Sequence, residues 1–389
     1  VTSHNANQTT RAVFEDLADA GPADLSTPLA TVLEPPGPSS RRSALVISEV
    51  MYHPGDRTDG RNGEFVEIYN SQPFAENISG WKLSGDYEFT FPPDTLIPGG
   101  GFLLVAPNPG DVSFIHGISN VLGGFTNTLS NGSGTVRLLS DRDAVFFDLT
   151  YRDKPPWPLA ADGAGHSLAL VRPSYGEDDP RAWGSSSRPG GSPGAWEGLD
   201  ASPRRNLRIN EVLLRGTTGG TEPFVEVFNP SALPVDLDRC RLGYAAPAVP
   251  YLFPAGTRLD AGGHLAVPAS QLGFSLRQDA ESLFLREPAE AKDGGAVIDA
   301  VRFEPAGAGV SRGRSPDGSD EVYALQSPTP GSANRSERDA TVVINELFHS
   351  PLSGDDDLQF VELFNPGAFA VSVAGWRLED GIQFEFPVT

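Results

Sequence analysis

The sequence lacks the residues that cross-link or anchor a fold. Its 389 residues include one cysteine, Cys240, and one methionine. A single cysteine excludes an intrachain disulfide, so the hydrophobic cores must supply the stability. No apolar run of about 18 residues occurs, and no basic segment followed by an apolar one opens the chain, so neither a membrane span nor a signal peptide is predicted. Because the first residue is Val1, we expect a processed form or a fragment.

Positive charge is scarce as well. The chain has 29 Lys and Arg against 51 Asp and Glu, which gives a formal net charge of -22 and a pI near 4.6. Such a surface repels phosphate backbones, which excludes nucleic acid as a partner. Acidity keeps a chain soluble and can also attract Ca²⁺, so by itself it identifies no ligand.

Glycine, proline and phenylalanine are abundant, at 43, 35 and 22 residues. Short apolar or alternating segments, such as 102–106 and 135–139, lie between clusters of Gly, Pro, Asn and Asp. This pattern is typical of half-buried antiparallel strands, so the predicted fold class is all-β. The length exceeds what one hydrophobic core usually serves, which favours two or three domains.

One pattern occurs three times along the chain, and such self-similarity is the strongest sign of architecture. The copies open with Leu45-Val-Ile-Ser-Glu49, Leu207-Arg-Ile-Asn-Glu211 and Val342-Val-Ile-Asn-Glu346. They continue with Phe65-Val-Glu67-Ile-Tyr-Asn70, Phe224-Val-Glu226-Val-Phe-Asn229 and Phe360-Val-Glu362-Leu-Phe-Asn365. The second glutamate of each copy is followed at one fixed spacing by Trp81, Cys240 or Trp376.

The repeats define the predicted domains. The first two copies close with Ser192-Pro-Gly194 and Thr329-Pro-Gly331, whereas the third reaches Thr389 before its later strands. We therefore expect either that the natural protein continues or that another chain supplies the missing strands. The predicted segments are a Pro-rich linker at 1–43, repeat 1 at 44–197, a linker at 198–205, repeat 2 at 206–334, a linker at 335–340 and a truncated repeat 3 at 341–389.

The motifs of repeat 1 resemble the lamin tail domain. They are Gly63-Glu-Phe-Val-Glu-Ile-Tyr-Asn70, Ile78-Ser-Gly-Trp81-Lys-Leu83 and Ile97-Pro-Gly-Gly-Gly-Phe-Leu-Leu-Val105. The resemblance implies tandem immunoglobulin-like β-sandwiches, the third incomplete. It also implies a platform and not a catalyst. The bacterial members of the family look like exported or cell-surface modules, often beside hydrolase or CotH-like kinase domains. Repeat 2 departs from the family pattern at Cys240, where the other repeats have Trp.

The repeated glutamates suggest a paired-acid mechanism such as glycoside hydrolysis. A catalytic pair is needed once, however, whereas a pair that defines the fold is needed in every repeat, so we interpret these residues as structural. A repeated cation site is the alternative. The residues predicted to define the fold are Glu49, Glu67, Asn70, Trp81, Glu211, Glu226, Asn229, Cys240, Glu346, Glu362, Asn365 and Trp376.

Two acidic loops could bind Ca²⁺, which takes six to eight oxygen ligands. The candidate ligands are Asp56, Asp59, Asn62, Glu64, Asp355, Asp356 and Asp357. The alternative is a solvated loop, because repeat 2 has Thr217-Thr-Gly-Gly-Thr-Glu222 there and no EF-hand spacing occurs. No other cofactor is expected, since the six histidines are scattered and no nucleophile elbow follows a strand.

Trp157 lies in the Pro-rich segment Lys154-Pro-Pro-Trp157-Pro. A large ring in such a loop could be exposed for recognition, whereas Trp81 and Trp376 are expected in sandwich cores.

The function we predict is that of a non-catalytic structural or adhesive protein, secreted or on the cell surface. Its sandwiches would serve as spacers and docking surfaces for other extracellular proteins, and the incomplete repeat 3 for self-association into a filament or surface assembly. Two alternatives stay open: the accessory region of a larger secreted enzyme, such as a hydrolase or CotH-like kinase, and a Ca²⁺- or glycan-binding module.

Overall fold

The structure is a computed structural model. It describes residues 2–5, 8–11, 45–125, 127–196, 202–244, 249–277, 282–288, 295–303, 306–320, 322–325, 327–335, 342–349, 356–367, 369–378 and 382–387. These residues form two compact units, Val1–Arg335 and Ser336–Thr389.

The described secondary structure is almost entirely β-strand, which confirms the all-β prediction. Before repeat 2 the strands are β1 Thr2–Asn5, β2 Gln8–Arg11, β3 Leu45–Met51, β4 Phe65–Asn70, β5 Glu76–Asn77, β6 Lys82–Gly85, β7 Phe89–Thr90, β8 Leu96–Ile97, β9 Phe102–Ala106, β10 Val121–Gly123, β11 Ser133–Leu139, β12 Val145–Arg152, β13 Leu168–Leu170 and β14 Trp183–Ser185. In repeat 2 they are β15 Arg208–Leu213, β16 Phe224–Phe228, β17 Val235–Asp236, β18 Arg241–Gly243, β19 Tyr251–Leu252, β20 Arg258–Leu259, β21 His264–Pro268, β22 Ser282–Arg286, β23 Val297–Arg302, β24 Ser311–Arg314 and β25 Val322–Leu325. In repeat 3 they are β26 Val343–Phe348, β27 Phe360–Phe364, β28 Arg377–Leu378 and β29 Phe384–Glu385.

The described helices are short. The two α-helices are α1 Pro109–His116 and α2 Ala269–Leu272, and both end at a glycine in the left-handed conformation. The 3₁₀ helices are Leu159–Ala161, Pro173–Tyr175, Pro180–Ala182, Pro203–Asn206 and Asp356–Leu358. None of the described helices is long and apolar enough to span a bilayer.

Repeat 1 is a sandwich of two sheets with the strand orders β10-β9-β4-β3-β13-β14 and β12-β11-β6-β7. Alternate residues of β11 are buried, which is the period expected of a strand with one face in the core. All seven residues of β3 are buried, because its outer face is also covered. Val112 of α1 packs there against Met51 and Phe65, and residues 192–196 lie beside Glu49 and Glu67.

Repeat 2 has the same architecture. Its sheets have the strand orders β21-β16-β15-β24-β25 and β19-β18-β22-β23. All residues of β15 and β16 are buried, as are all of β3 and all but one of β4. The edge strand β10 of repeat 1 has no counterpart among the strands described in repeat 2. The two repeats therefore share a sandwich and differ at one sheet edge.

A β-bulge interrupts the first strand pair of every repeat at the same place. The register shifts at Ser48, Asn210 and Asn345, just before the first glutamate of each repeat. A bulge adds one residue to one strand and re-aims its side chain. As a result, the side chains of these three residues contact the second glutamate of their own repeat.

Two predicted linkers contain ordered structure. β1 and β2 form a hairpin within the predicted linker 1–43; the rest of that segment lies outside the described residues. In the predicted linker 198–205, residues 203–205 begin the 3₁₀ helix Pro203–Asn206. Its Arg204 donates to the carbonyl of Asp236 and the carboxylate of Glu287, so this part of the segment belongs to repeat 2.

Candidate functional site

The repeated glutamates face each other across the first two strands of each repeat. The directly paired residues are Glu49 and Glu67, Glu211 and Glu226, and Glu346 and Glu362. We call each couple a carboxylate pair. Like charges directly opposite in a sheet destabilise it unless other groups compensate, so their hydrogen-bond partners decide what the pair does.

In repeat 1 the carboxylate pair binds the segment that closes the sandwich, residues 192–194. The Ser192 amide donates to Glu49 at 3.0 Å, and the Gly194 amide donates to Glu67 at 2.5 Å. The hydroxyls of Ser167 and Ser48 donate to Glu49 and Glu67 respectively. The pair thus fastens the end of the repeat to its first two strands.

Repeat 2 reproduces this arrangement with residues 329–331. The amide of Thr329 donates to both oxygens of Glu211 at 3.1 Å, and its hydroxyl donates at 2.9 Å. Ser311 donates to Glu211 at 2.5 Å, and the Gly331 amide donates to Glu226 at 2.7 Å. Ser311 and Thr329 therefore take the places of Ser167 and Ser192 of repeat 1.

Burial dominates the electrostatics of the pair in repeat 2. Glu211 and Glu226 are both 0% exposed, and loss of water contact raises the pKa of each. The effect is large for Glu226, whose pKa rises to about 7. Hydrogen bonds from Ser311 and Thr329 oppose the rise at Glu211, whereas fewer donors reach Glu226.

The space beside the pair of repeat 1 is too small for a substrate. A cavity of about 10 Å³ borders Glu49, Glu67, Ser192 and Trp196, which is room for roughly one water molecule. The pair can hold backbone amides in place, and this geometry offers no room for a sugar ring.

A second recurring contact involves the asparagine after each pair. The side-chain amide of Asn70 donates to the carbonyls of Phe74 and Ile97, and that of Asn229 to those of Leu233 and Leu259. In repeat 3 the Asn365 amide donates to the carbonyl of Phe369. Each asparagine ties the loop that follows its strand.

The Trp/Cys position is also held by its backbone in each repeat. The Phe91, Phe253 and Phe386 amides donate to the carbonyls of Trp81, Cys240 and Trp376 at 2.8–3.0 Å. Trp81 is half-buried against Phe146, with ring centroids 4.4 Å apart. Cys240 is 0% exposed, and its burial raises the pKa of the thiol to about 12.

In repeat 3 the carboxylate pair is solvent-exposed. Glu346 and Glu362 lie opposite each other as in the other repeats, and Asn345 donates to Glu362. Every residue of β26 is exposed, whereas every residue of β3 and β15 is buried. Trp376 is half-buried.

Three of the four candidate Ca²⁺ ligands of repeat 1, Asp59, Asn62 and Glu64, are already engaged by groups of the protein. Asp59 accepts from the Arg57 guanidinium at 2.6 and 2.9 Å, and this contact lowers the pKa of Asp59 to about 2. Asn62 accepts from the Glu64 amide, and Glu64 accepts from the Leu129 amide.

The other candidate ligands do not add to this set. Asp56 and Asp357 are exposed, Asp355 lies outside the described residues, and of Asp356 only the backbone is described. Within the described ranges, no three His, Cys, Asp or Glu side chains are grouped as metal ligands. Calcium binding stays a prediction.

Trp157, considered for surface recognition, is buried. Its side chain is 6% exposed and belongs to the core of repeat 1, and its amide donates to the Lys154 carbonyl at 3.0 Å. The tight turn of the Pro-rich segment directs the ring inward, so Trp157 is not a recognition residue.

The sequence interpretation missed a polar network in repeat 2. His264 lies 3.1 Å from the Asp317 carboxylate, which also accepts from Asn210, and Asn210 donates in turn to Glu226. Burial lowers the pKa of His264, but the contacts with Asp317 and Glu226 outweigh it and the net shift is upward. No local motif marks residues so far apart in sequence.

The sequence interpretation also missed a contact between repeats 1 and 2, which we call the junction. Ala160 of repeat 1 packs with the buried Phe284 and Val297 of repeat 2. The Val297 amide donates to Nε2 of His166 at 3.1 Å, and the Arg302 guanidinium contacts Asp162 at 2.9 Å. The two repeats are therefore fixed to each other.

Comparison with known proteins agrees with this geometry. The sequence model of the Lamin Tail Domain family matches residues 38–153. The match covers β3 to β12 and stops before β13 and β14, the two strands that complete the sheet beside β3. No curated protein matches the chain.

Proposed function

We propose that this chain is a structural or adhesive protein of the cell exterior, because residues 38–153 match the Lamin Tail Domain family, in general a non-catalytic immunoglobulin-like module. In this proposal its repeated sandwiches hold other surface or extracellular proteins at a set spacing. The activity is mechanical support and docking, not turnover.

The junction is the observation that carries the proposal. A spacer must transmit position from one module to the next, and repeats 1 and 2 share buried apolar contacts, a buried histidine contact and an ion pair. A flexible array would need only a linker.

The carboxylate pairs support the same proposal. In repeats 1 and 2 both glutamates accept hydrogen bonds from amides of the closing segment, so they serve the fold. Repeated acidic residues that serve the fold in repeats 1 and 2 fit a mechanical task better than a catalytic one.

Self-association through repeat 3 is part of the proposal. The side chains of Ile344 and Leu347 are 62% and 61% exposed, whereas Ile47 and Val50 at the matching places of repeat 1 are fully buried. Strands from a second copy would cover this surface by β-augmentation. Light scattering at rising concentration should show assembly, and Leu347→Asp should prevent it; a monomer at all concentrations would remove this part of the proposal.

Surface labelling tests the location. A membrane-impermeant amine or carboxylate reagent applied to intact source cells should modify the protein to the same extent as in lysed cells. Protection in intact cells, with full modification after lysis, would overturn an extracellular role.

A further inference from the structure

We infer that the junction between repeats 1 and 2 is acid-releasable, and that His166 is the group whose protonation releases it. His166 is 0% exposed and lies between the repeats. One ring nitrogen contacts its own repeat and the other contacts repeat 2, so a change in its charge acts on both sides at once.

The two contacts of His166 require a neutral ring. Nδ1 lies 2.7 Å from the carbonyl of Ser186, which can only accept, so Nδ1 carries the proton. Nε2 lies 3.1 Å from the amide of Val297, which can only donate, so Nε2 must be bare. A second proton on Nε2 would set two donors against each other and leave a buried charge without a partner.

The charges that face His166 make protonation harder. Arg205, from the 3₁₀ helix before β15, donates to the carbonyls of Val297 and Ser187. Arg286, from β22, lies within 3.5 Å of the Ala164 carbonyl. Burial first, and these two cations in addition, lower the pKa of His166 to about 4.

The ion pair beside His166 is the other polar contact of the junction. Asp162 contacts Arg302 of repeat 2 at 2.9 Å and His53 of its own repeat at 2.7 Å. Arg302 also lies 3.6 Å from Asp153. The hydrogen bond to Asp162 raises the pKa of His53, which lies within repeat 1.

The direction of the pH effect follows from the lowered pKa of His166. The docked state keeps the ring neutral, whereas a released ring takes up a proton near its ordinary pKa of 6.5. Docking is therefore strongest above pH 6.5 and weakens as the pH falls towards 4. The docking equilibrium constant should drop by up to roughly two orders of magnitude over that range.

Repeat 2 does not carry the same device. The segment Asp162-Gly-Ala-Gly-His166-Ser aligns with Ala306-Gly-Ala-Gly-Val310-Ser, so both polar residues of the junction are replaced by apolar ones. The equivalent positions of repeat 2 therefore hold no group that could take up a proton in this pH range.

The test measures the distance between the repeats in the full chain. Donor and acceptor dyes are placed on two exposed positions, Asp141→Cys in repeat 1 and Asp260→Cys in repeat 2, while the buried Cys240 stays unlabelled. Energy transfer is recorded from pH 7.5 to 4, and near-UV circular dichroism reports whether each sandwich stays folded. We expect transfer to change below pH 6.5 with the dichroism retained.

Two substitutions at His166 make the test specific. His166→Gln keeps a neutral hydrogen-bonding side chain, and His166→Val installs the residue of repeat 2; both should abolish the pH dependence of energy transfer, whatever their docking at pH 7.5. His116→Gln is the matched control, because burial also lowers the pKa of His116 to about 4 but its ring packs on Phe65 within repeat 1. A wild-type chain without a pH response, or a His166 variant that keeps it, would overturn the inference.

Discussion

Repeats 1 and 2 are built on one plan but surround their carboxylate pairs differently. Beside the pair, repeat 1 has Ser48 at the bulge where repeat 2 has Asn210. Across the neighbouring strand, Tyr69 pairs with Phe102, whereas Phe228 pairs with His264. The apolar phenylalanine of one repeat is thus a titratable histidine in the other.

The difference shows which contacts the fold requires. In both repeats, the amides of the closing segment bind the glutamates, and a serine hydroxyl supports the first of them. The residues that differ are those that support the second glutamate from the side. Backbone donors fix the arrangement, and the side chains around it are free to set its pH response.

The largest effect that tests this comparison is loss of the first glutamate. Glu49→Ala and Glu211→Ala leave several buried donors without acceptors, so each should lower the free energy of unfolding of its own repeat by about 3 kcal/mol. Urea titration can separate the repeats, because repeat 1 contains four of the five tryptophans and repeat 2 the only thiol. Tryptophan fluorescence reports repeat 1, and reactivity of Cys240 reports repeat 2.

The exposed Glu88 provides the control, because Glu88→Ala should change stability by less than about 0.5 kcal/mol. A cost below about 1 kcal/mol for either pair variant would show that the pair does not fasten its repeat.

The next effect concerns the Trp/Cys position. Cys240→Trp forces an indole into a site with no exposed surface and should destabilise repeat 2 by about 2 kcal/mol. Trp81→Cys should destabilise repeat 1 by a similar amount, because it removes the contact with Phe146. Thermal unfolding followed by far-UV circular dichroism measures both changes. If Cys240→Trp left the stability of repeat 2 unchanged, the Cys240 site would have to accommodate an indole as readily as the Trp81 site does.

The stability of repeat 2 should depend on pH, with an effect no larger than that of the substitutions at the Trp/Cys position. Folding raises the pKa of Glu226 to about 7, so the contribution of Glu226 to the stability of repeat 2 is largest below pH 4.5 and falls as the pH rises to 7, by on the order of 2 kcal/mol. The raised pKa of His264 acts in the same direction. Glu226→Gln should remove most of the slope, measured as Cys240 reactivity normalised to a small thiol at each pH; a slope that persists in this variant would assign it to other groups.

The smallest effect tests the serine hydroxyl that supports the first glutamate in both repeats. Ser167→Ala and Ser311→Ala each remove one hydroxyl from the first glutamate, and each should cost about 1 kcal/mol. Equal costs in urea titrations would fit a common arrangement. Costs that differ by more than about 1 kcal/mol would show that the serines have separate roles.

Repetition made much of the fold predictable from the sequence. The family resemblance and the all-β class rested on motifs that recur with fixed spacing, and the family match and the sheets confirm both. The structural interpretation of Glu49 and Glu67 came from the same repetition. Their partners, Ser192 and Gly194, lie more than a hundred residues away, and no local pattern connects them.

The errors and omissions concern residues whose contacts do not recur from repeat to repeat. Trp157 was considered for surface recognition because proline-rich segments usually lie at the surface, but the turn directs the ring into the core. His166 was one of six scattered histidines, and its role depends on Val297 of the next repeat. A contact between two domains leaves no period in the sequence.

The carboxylate pair has a mechanical consequence. When a chain is stretched, the load on repeat 1 enters at β3 and leaves after Gly194, and Glu49 and Glu67 hold these two places together. Tension therefore passes across a few hydrogen bonds pulled in parallel and bypasses the long stretch of sandwich between them. The resistance of each complete repeat to stretching is therefore set by the hydrogen bonds of its carboxylate pair and not by its hydrophobic core.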